Sequence, residues 1–297
     1  MFVDVIHIAG LTKDYGNNKG IFDLSFSLRQ GEAVGFLGPN GAGKTTTIRH
    51  LMGFLKPDHG TARVLGMDCF KNASSVQDKI GYLPGETAFM DNMTGDEFIQ
   101  FMAGMKDIKD LGYARELTAY FDIDTRVKIK KMSKGMKQKI GLIVAFMQNA
   151  PVLILDEPTT GLDPLMQNKF VDLIKREKDS GKTILMSSHI FEEIENTCDR
   201  VVMIREGRIV ADEAINMIRD NMCKHCEIIF DNTEDAVSFQ KLHLDNCSRQ
   251  ENAVCLLSKG DVNVLISQLS RYRIKDINIR SQSLEEVFLK YYGGGRS

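Results

Sequence analysis

Gly38-Pro-Asn-Gly-Ala-Gly-Lys-Thr45 is the stretch of the sequence that decides the fold. It satisfies the pattern G-x-x-x-x-G-K-[ST] at every position. Before it stands an apolar run, Ala33 to Leu37, reached through a turn at Gln30-Gly31. From Lys44 onward the pattern reads as helix. A strand, a glycine-rich loop and a helix in that order make a phosphate cradle: backbone N–H groups curl around the anion, and the helix N-terminus adds its positive end. Gly38, Pro39, Asn40, Gly41, Ala42, Gly43, Lys44, Thr45 and Thr46 are the expected binding residues. Lys44 suits the β- and γ-phosphates, and the Thr45 hydroxyl suits Mg²⁺. The alternative, a glycine-rich turn with an incidental lysine, does not account for both flanks.

A second apolar run, Val152-Leu-Ile-Leu, ends in Asp156-Glu157-Pro158, and Asp156 follows Lys44 by 112 residues. Such a run places two carboxylates at the C-terminal edge of a parallel sheet, the edge where open α/β folds bind ligands. Asp156 can hold Mg²⁺ and Glu157 can take a proton from an attacking water. Taken alone, a strand ending in Asp-Glu is usually a solvated turn; its distance from the phosphate loop gives it meaning. His189 ends the next strand, in Met186-Ser-Ser-His-Ile, and could position the water or meet the γ-phosphate.

Around these motifs the chain alternates strands and helices, which argues for an α/β core with a parallel sheet. Phe22, Leu24, Phe26 and Leu28 alternate with polar residues, the period of a half-buried strand. Short strands are expected at Thr61–Leu65 and Lys79–Leu83, then a mostly helical insertion from 86 to about 148. In it, Thr94-Gly-Asp-Glu97 reads as a capping box, with Phe98, Phe101, Met102 and Met105 at helical spacing behind it. Asp163-Pro164 suits an N-cap followed by proline at N1. Past about 215 the rhythm changes: short strands at Glu227–Phe230, Ala253–Leu257 and Ile274–Ile279 alternate with helices near 233–242, 262–272 and 284–291. About eighty residues suffice for a small α+β domain, with Gly293 to Ser297 as a flexible tail.

Composition narrows the class. The 297 residues carry 38 Lys and Arg against 40 Asp and Glu, a net charge of −2, which gives no chain-wide footprint for nucleic acid. At 43% hydrophobic residues a full core is expected. The longest apolar stretch, Ile140–Met147, has eight residues, well short of the roughly 20 that span a bilayer. The N-terminus has no signal-peptide pattern. A soluble chain that stays inside the cell is the expectation, and six scattered cysteines fit reduced thiols better than a disulfide framework. Cys223-Lys-His-Cys226 with Cys247 and Cys255 has the wrong second spacing for zinc; buried thiols are the favoured reading.

With these pieces in order, residues 4 to about 215 resemble the ATP-binding cassette (ABC) ATPases. The resemblance implies a P-loop NTPase (RecA-like) α/β core with an antiparallel β subdomain and a helical subdomain, plus a small α+β C-terminal domain. It adds a D-loop at Gly161-Leu162-Asp163 and an adenine-stacking aromatic at Tyr15, whose alternative is a turn tyrosine. The family signature Leu-Ser-Gly-Gly-Gln stands here as Met132-Ser-Lys-Gly-Met136, with Ser133 lying 23 residues before Asp156. Ser133 and Gly135 keep the phosphate-facing roles, while Lys134 replaces a glycine in the manner of ABC-2 drug and peptide exporters. The Q-loop departs from the family: after Gly81-Tyr82-Leu83-Pro84 come Gly85 and Glu86, and Glu86 is the candidate replacement as a Mg²⁺ or water contact. Residues 216–292 resemble loosely, in length, rhythm and the closing Ser283-Leu-Glu-Glu-Val-Phe, the extra domain of daunorubicin-exporter cassettes, for which dimerisation or regulation is expected.

The resemblance further implies two cassettes closing head-to-tail around two ATP, with Mg²⁺, and a separate transmembrane permease as the moving part. No nucleic-acid partner is expected. The chain would be cytoplasmic, peripheral on the inner face of the membrane, with Phe89, Met90 and Met93 either lining the permease dock or packing as core. The rival reading is a soluble ABC ATPase or ATP-dependent regulator uncoupled from transport. Translation factors of this family carry two phosphate loops and repair ATPases a long coiled coil; this sequence has one loop and no heptad stretch.

Overall fold

A computed structural model describes residues 4–220, 223–242, 247–258, 262–282 and 286. The chain divides into two compact units, Met1–Ile215 and Asn216–Ser297.

The first unit opens with β1 (Asp4–Asp14), β2 (Gly20–Arg29) and β3 (Ala33–Leu37), followed by α1 (Lys44–Leu51). Next come β4 (His59–Val64), β5 (Met67–Asp68), α2 (Ala73–Gln77) and β6 (Ile80–Leu83). Then follow α3 (Gly95–Met105), α4 (Gly112–Tyr120), α5 (Lys134–Met147) and β7 (Val152–Asp156). The unit closes with α6 (Pro164–Asp179), β8 (Thr183–Ser188), α7 (Phe191–Thr197), β9 (Arg200–Arg205) and β10 (Arg208–Ala214).

These strands make two sheets. One is antiparallel, in the order β2-β1-β4-β5; the other has six strands in the order β10-β9-β3-β8-β7-β6, parallel from β9 to β6. Every residue of β3, β7 and β8 is buried, which is why they read as unbroken apolar runs rather than alternating ones. In β2 the alternation survives: Leu24, Phe26 and Leu28 are buried between exposed or half-buried neighbours. Register then matters for chemistry. Leu37 stands opposite Ser188, and Asp156 opposite Ser187, so the ends of β3, β7 and β8 share one edge of the sheet.

Helix α3 is capped as its sequence predicts. Thr94 Oγ1 accepts from Glu97 N at 3.3 Å, and Glu97 Oε2 accepts from Thr94 N at 2.7 Å. Its four apolar residues at helical spacing do lie on the helix, but they do not share one buried face. Phe98, Ile99 and Ala103 are buried, whereas Phe101 is 38% and Met105 70% exposed. Residues 86–94 hold no helix, so the helical part of the insertion starts at Gly95. Phe89 packs its ring on Phe98 at 5.1 Å, while Met90 is exposed. Helix α5 lies directly on β6: a Cβ on Gly81 would stand 2.2 Å from the Ala145 carbonyl oxygen, so only glycine admits this approach. Asp163 caps α6, accepting from Met166 N at 3.0 Å, with Pro164 behind it.

Helix α1 buries a titratable group. His50 is 1% exposed; its Nδ1 lies 2.8 Å from the Thr46 carbonyl oxygen and its Nε2 has no partner. Burial lowers its pKa from the usual 6.5, outweighing the Thr46 carbonyl, which raises it. The folded protein therefore holds His50 neutral, and stability present above the ordinary histidine range is lost as pH falls through it. We expect the melting temperature to drop more steeply below about pH 6.5 in the native chain than in His50→Leu. The difference cannot exceed one proton's slope, about 1.4 kcal/mol per pH unit. Identical slopes in the two proteins would remove His50 as the responsible group.

The second unit contains α8 (Ile215–Asp220), which starts at the boundary, then β11 (Lys224–Phe230), α9 (Thr233–Leu242) and β12 (Cys247–Gln250). It ends with β13 (Ala253–Ser258), α10 (Val262–Leu269) and β14 (Ile274–Ser281). The sheet is antiparallel in the order β12-β13-β11-β14. Phe230, Phe239 and Tyr272 meet ring to ring at 5.4 to 5.8 Å in its core. Strand β12 escapes sequence reading because Cys247-Ser-Arg-Gln250 is a short, polar edge strand with no apolar alternation. The expected helix near 284–291, the Ser283 to Phe288 segment and the terminal tail lie outside the described residues, Glu286 apart. All six thiols are free. Cys226 pairs with Leu256 while Cys255 pairs with Glu227, so these two cysteines face opposite sides of the sheet. Among the described residues no group of three His, Cys, Asp or Glu is placed to hold a metal.

Candidate active site

The loop between β3 and α1, the end of β7 and the end of β8 converge on the shared sheet edge. Lys44 is the first residue of α1, yet it is only 5% exposed. Its ammonium donates to the Gly38 carbonyl at 2.6 Å and the Pro39 carbonyl at 3.3 Å, and lies 3.2 Å from Glu157 Oε1. That last contact is an ion pair without hydrogen-bond alignment, since Glu157 Oε1 is buried with no hydrogen-bond partner. The other oxygen, Oε2, sits 2.6 Å from His189 Nδ1. A carboxylate only accepts, so Nδ1 carries the proton in this contact.

Asp156 is fully buried, and its two oxygens are divided. Oδ2 accepts from the Thr45 hydroxyl at 2.9 Å, and Oδ1 accepts from the Ser187 hydroxyl. The Glu157 N–H donates to both the carbonyl and the hydroxyl oxygen of Ser187, at 3.2 and 3.1 Å. Glu157 has φ 50°, the left-handed region. A non-glycine residue stays there only where its surroundings hold it, and such residues gather at functional sites.

A cleft of 510 Å³ opens over the loop. It is lined by Tyr15, Lys19, Pro39, Asn40, Gly41, Gly43, Lys44, Thr45, Thr46 and Glu157, and by Glu206 and Gly207 of the β9–β10 turn. Tyr15, 55% exposed, lines the same cleft. Gly38 and Ala42 lie beneath: Ala42 is buried and its carbonyl accepts from Gly207 N at 3.0 Å. A neighbouring cleft of 410 Å³ is lined by Thr45, Arg49, Tyr82, Gly85, Glu86, Asp156 and Glu157. Glu86 is therefore brought to the same oxygen-rich corner as Thr45 and Asp156. Burial, then the charge of Asp156, pushes the Tyr82 phenol up to about 12, so it stays neutral there.

The hydroxyl and carboxylate oxygens of Thr45, Asp156 and Glu86 are hard donors. Mg²⁺ keeps several waters and takes one or two protein oxygens plus phosphates, so this donor set suits it without a three-residue cage.

The candidate signature residues lie elsewhere. Ser133 is exposed and caps α5, its Oγ accepting from Met136 N at 3.2 Å. Neither Ser133 nor Gly135 lines either cleft. The groups that sequence reasoning missed are Ser187, Glu193, Gln138 and the Glu206-Gly207 turn. None carries a motif of its own; only the Ser-Ser-His stretch marked one of them.

The ABC transporter family model matches residues 21–160. The bacitracin transport ATP-binding protein BcrA of Bacillus licheniformis is 33% identical over 98% of this chain and 98% of its own length. The SkfA peptide export ATP-binding protein SkfE of Bacillus subtilis is 36% identical over 71% of this chain and 89% of its own. Among solved structures, an ATP binding subunit of an ABC transporter superposes with a TM-score of 0.67 at 29% identity, covering 72% of this chain and 92% of that one.

Proposed function

The chain belongs to the ATP-binding subunits of ABC transporters, and on that premise we propose that Glu157 is the general base of its ATPase, poised by His189 and Lys44. The chain binds and hydrolyses ATP. The observation that carries the assignment is the division of the Glu157 carboxylate. His189 holds one oxygen at 2.6 Å, which leaves Oε1, buried and without a hydrogen-bond donor, to accept a proton from water.

Each remaining residue has a task. Backbone N–H groups of the loop from Gly38 to Thr46, Pro39 apart, wrap the phosphates, Lys44 neutralises the β- and γ-phosphates, and Tyr15 stacks on the base. Thr45 and Asp156 would hold Mg²⁺, with Glu86 as a further oxygen beside them. The bound ion would supply charge neutralisation at the phosphate oxygens. Asp156 has its orientation fixed by Ser187.

Ser133 and Gly135 stand outside the clefts of their own chain, which supports their acting on nucleotide held by a second protomer. Two copies, or this chain and a close relative, then close head-to-tail in two-fold symmetry, and hydrolysis reopens them. The moving part is a separate permease. No helix among the described residues is long and apolar enough to cross a membrane. The relatives named for bacitracin transport and SkfA peptide export support export of a drug, a peptide or another amphipathic compound. Docking on the permease puts the chain at the cytoplasmic face of the membrane.

Tagged chain expressed with its genomic neighbours should recover a multi-span hydrophobic protein from detergent extracts of membranes. Recovery of the chain alone, with full ATPase activity and no membrane fraction, would overturn the coupling to a permease.

A further inference from the structure

The five residues from Glu157 to Gly161 form a turn that follows β7, and helix α5 touches that turn at two places. In the first turn of the helix, a Cβ on Gly135 would stand 2.7 Å from the Gly161 carbonyl oxygen, so the two backbones are in direct contact. Three residues on, along the same face of the helix, Gln138 Nε2 donates to the Pro158 carbonyl at 2.7 Å and to the Glu157 carbonyl at 3.4 Å. The opposite side of the turn is held by α7. There the buried Glu193 accepts from the Thr159 hydroxyl and, at 2.7 Å, from the Ser188 hydroxyl. The Glu157 carbonyl also accepts from Thr160 N at 3.2 Å, which closes the turn on itself.

Glu157 sits in this suspended turn at φ 50°, a conformation its own backbone does not favour. Two carbonyls next to it point at one side-chain amide. An amide carries two N–H donors on one nitrogen, so a single Gln can serve two adjacent carbonyls where a carboxylate of the same shape can serve neither.

We propose that Gln138 is a positioning residue that sets the Glu157 turn from helix α5. The proposal rests on the reading of Glu157 as the base. Helix α5 starts at the cap residue Ser133, on the exposed face assigned above to the second protomer. A shift of the helix end therefore reaches the turn at Gly161 through the backbone and at Glu157 and Pro158 through Gln138, without passing through the phosphate loop. Displacing a catalytic group by about 1 Å can cost on the order of 10²-fold in rate, so a small movement of Gln138 is enough to matter.

The test compares Gln138→Glu, Gln138→Ala and Gln138→Lys in the full-length chain. Measured for each are kcat, equilibrium affinity for ATP and melting temperature. Gln138→Glu keeps the shape and loses the donors, whereas Gln138→Lys keeps a donor. We expect Gln138→Glu and Gln138→Ala to lose about 10- to 100-fold in kcat. ATP affinity and melting temperature should stay near native, and Gln138→Lys should recover part of the rate. Native kcat in Gln138→Glu overturns the proposal. So does a parallel fall in affinity and melting temperature, which marks a purely structural role, or a lysine variant no better than the glutamate one. Glu157→Gln is measured alongside. If it turns over at the native rate, the base assignment itself fails; if it is inactive while Gln138→Glu is native, only the role of Gln138 falls.

Discussion

Glu157→Gln should bind ATP with native affinity, accumulate as a closed dimer and lose turnover by on the order of 10²- to 10⁴-fold, the usual worth of a general base. The substitution keeps the shape of the side chain and its acceptor toward His189 Nδ1, 2.6 Å from Oε2 in the native chain. What it removes is the basic oxygen. The left-handed backbone at residue 157 is untouched, because the N–H bonds to Ser187 do not involve the side chain. Loss of the ion pair between Lys44 and Oε1, at 3.2 Å, frees the ammonium for phosphate, so binding has no reason to weaken. Size-exclusion chromatography with and without ATP reads the dimer, and phosphate release reads the rate. Native turnover would show that another group takes the proton.

Lys44→Ala separates binding from chemistry in the opposite direction. The native ammonium is nearly buried, held by the Gly38 and Pro39 carbonyls and close to Glu157. These contacts aim a fixed positive charge into the loop. Charge-assisted hydrogen bonds from such a group are each worth about 1.5–3 kcal/mol; of its three N–H donors one is left for phosphate, and a second follows when it releases the longer contact to the Pro39 carbonyl, 3.3 Å. We therefore expect ATP affinity to fall by on the order of 10²- to 10³-fold, with dimer formation lost at nucleotide concentrations that saturate Glu157→Gln. Direct titration with a fluorescent nucleotide measures this. An affinity within threefold of native would leave the backbone N–H groups as the whole of the phosphate site.

The loop from Gly38 to Thr45 was legible because the phosphate binding proposed for it demands residue types at fixed spacing within one short segment. Asp156 and Glu157 were legible for a related reason: a buried parallel strand announces itself as an apolar run, and charge at its end stands out. The caps at Thr94 and Asp163 read correctly, since a cap involves only residues three apart. Phe98, Phe101, Met102 and Met105 have the helical spacing that marks α3, but that spacing did not settle which face is buried; the buried residues are Gly95, Phe98, Ile99 and Ala103. Helical period names a set of faces and leaves the choice among them to the packing partner.

Local pattern alone thus determined the phosphate cradle, the paired carboxylates, the alternating α/β order and the change of style near residue 215. Tertiary structure alone decided how Glu157 is held. Strand β8 inserts between β3 and β7, which carries Ser187 to Asp156 and His189 to Glu157 across 31 and 32 residues. Helices α5 and α7 fold back on the same turn and deliver Gln138 and Glu193. These are long-range hydrogen bonds between ordinary polar residues, and nothing local distinguishes such a residue from one that faces solvent. Only closure of the sheet and helices around the turn makes the difference.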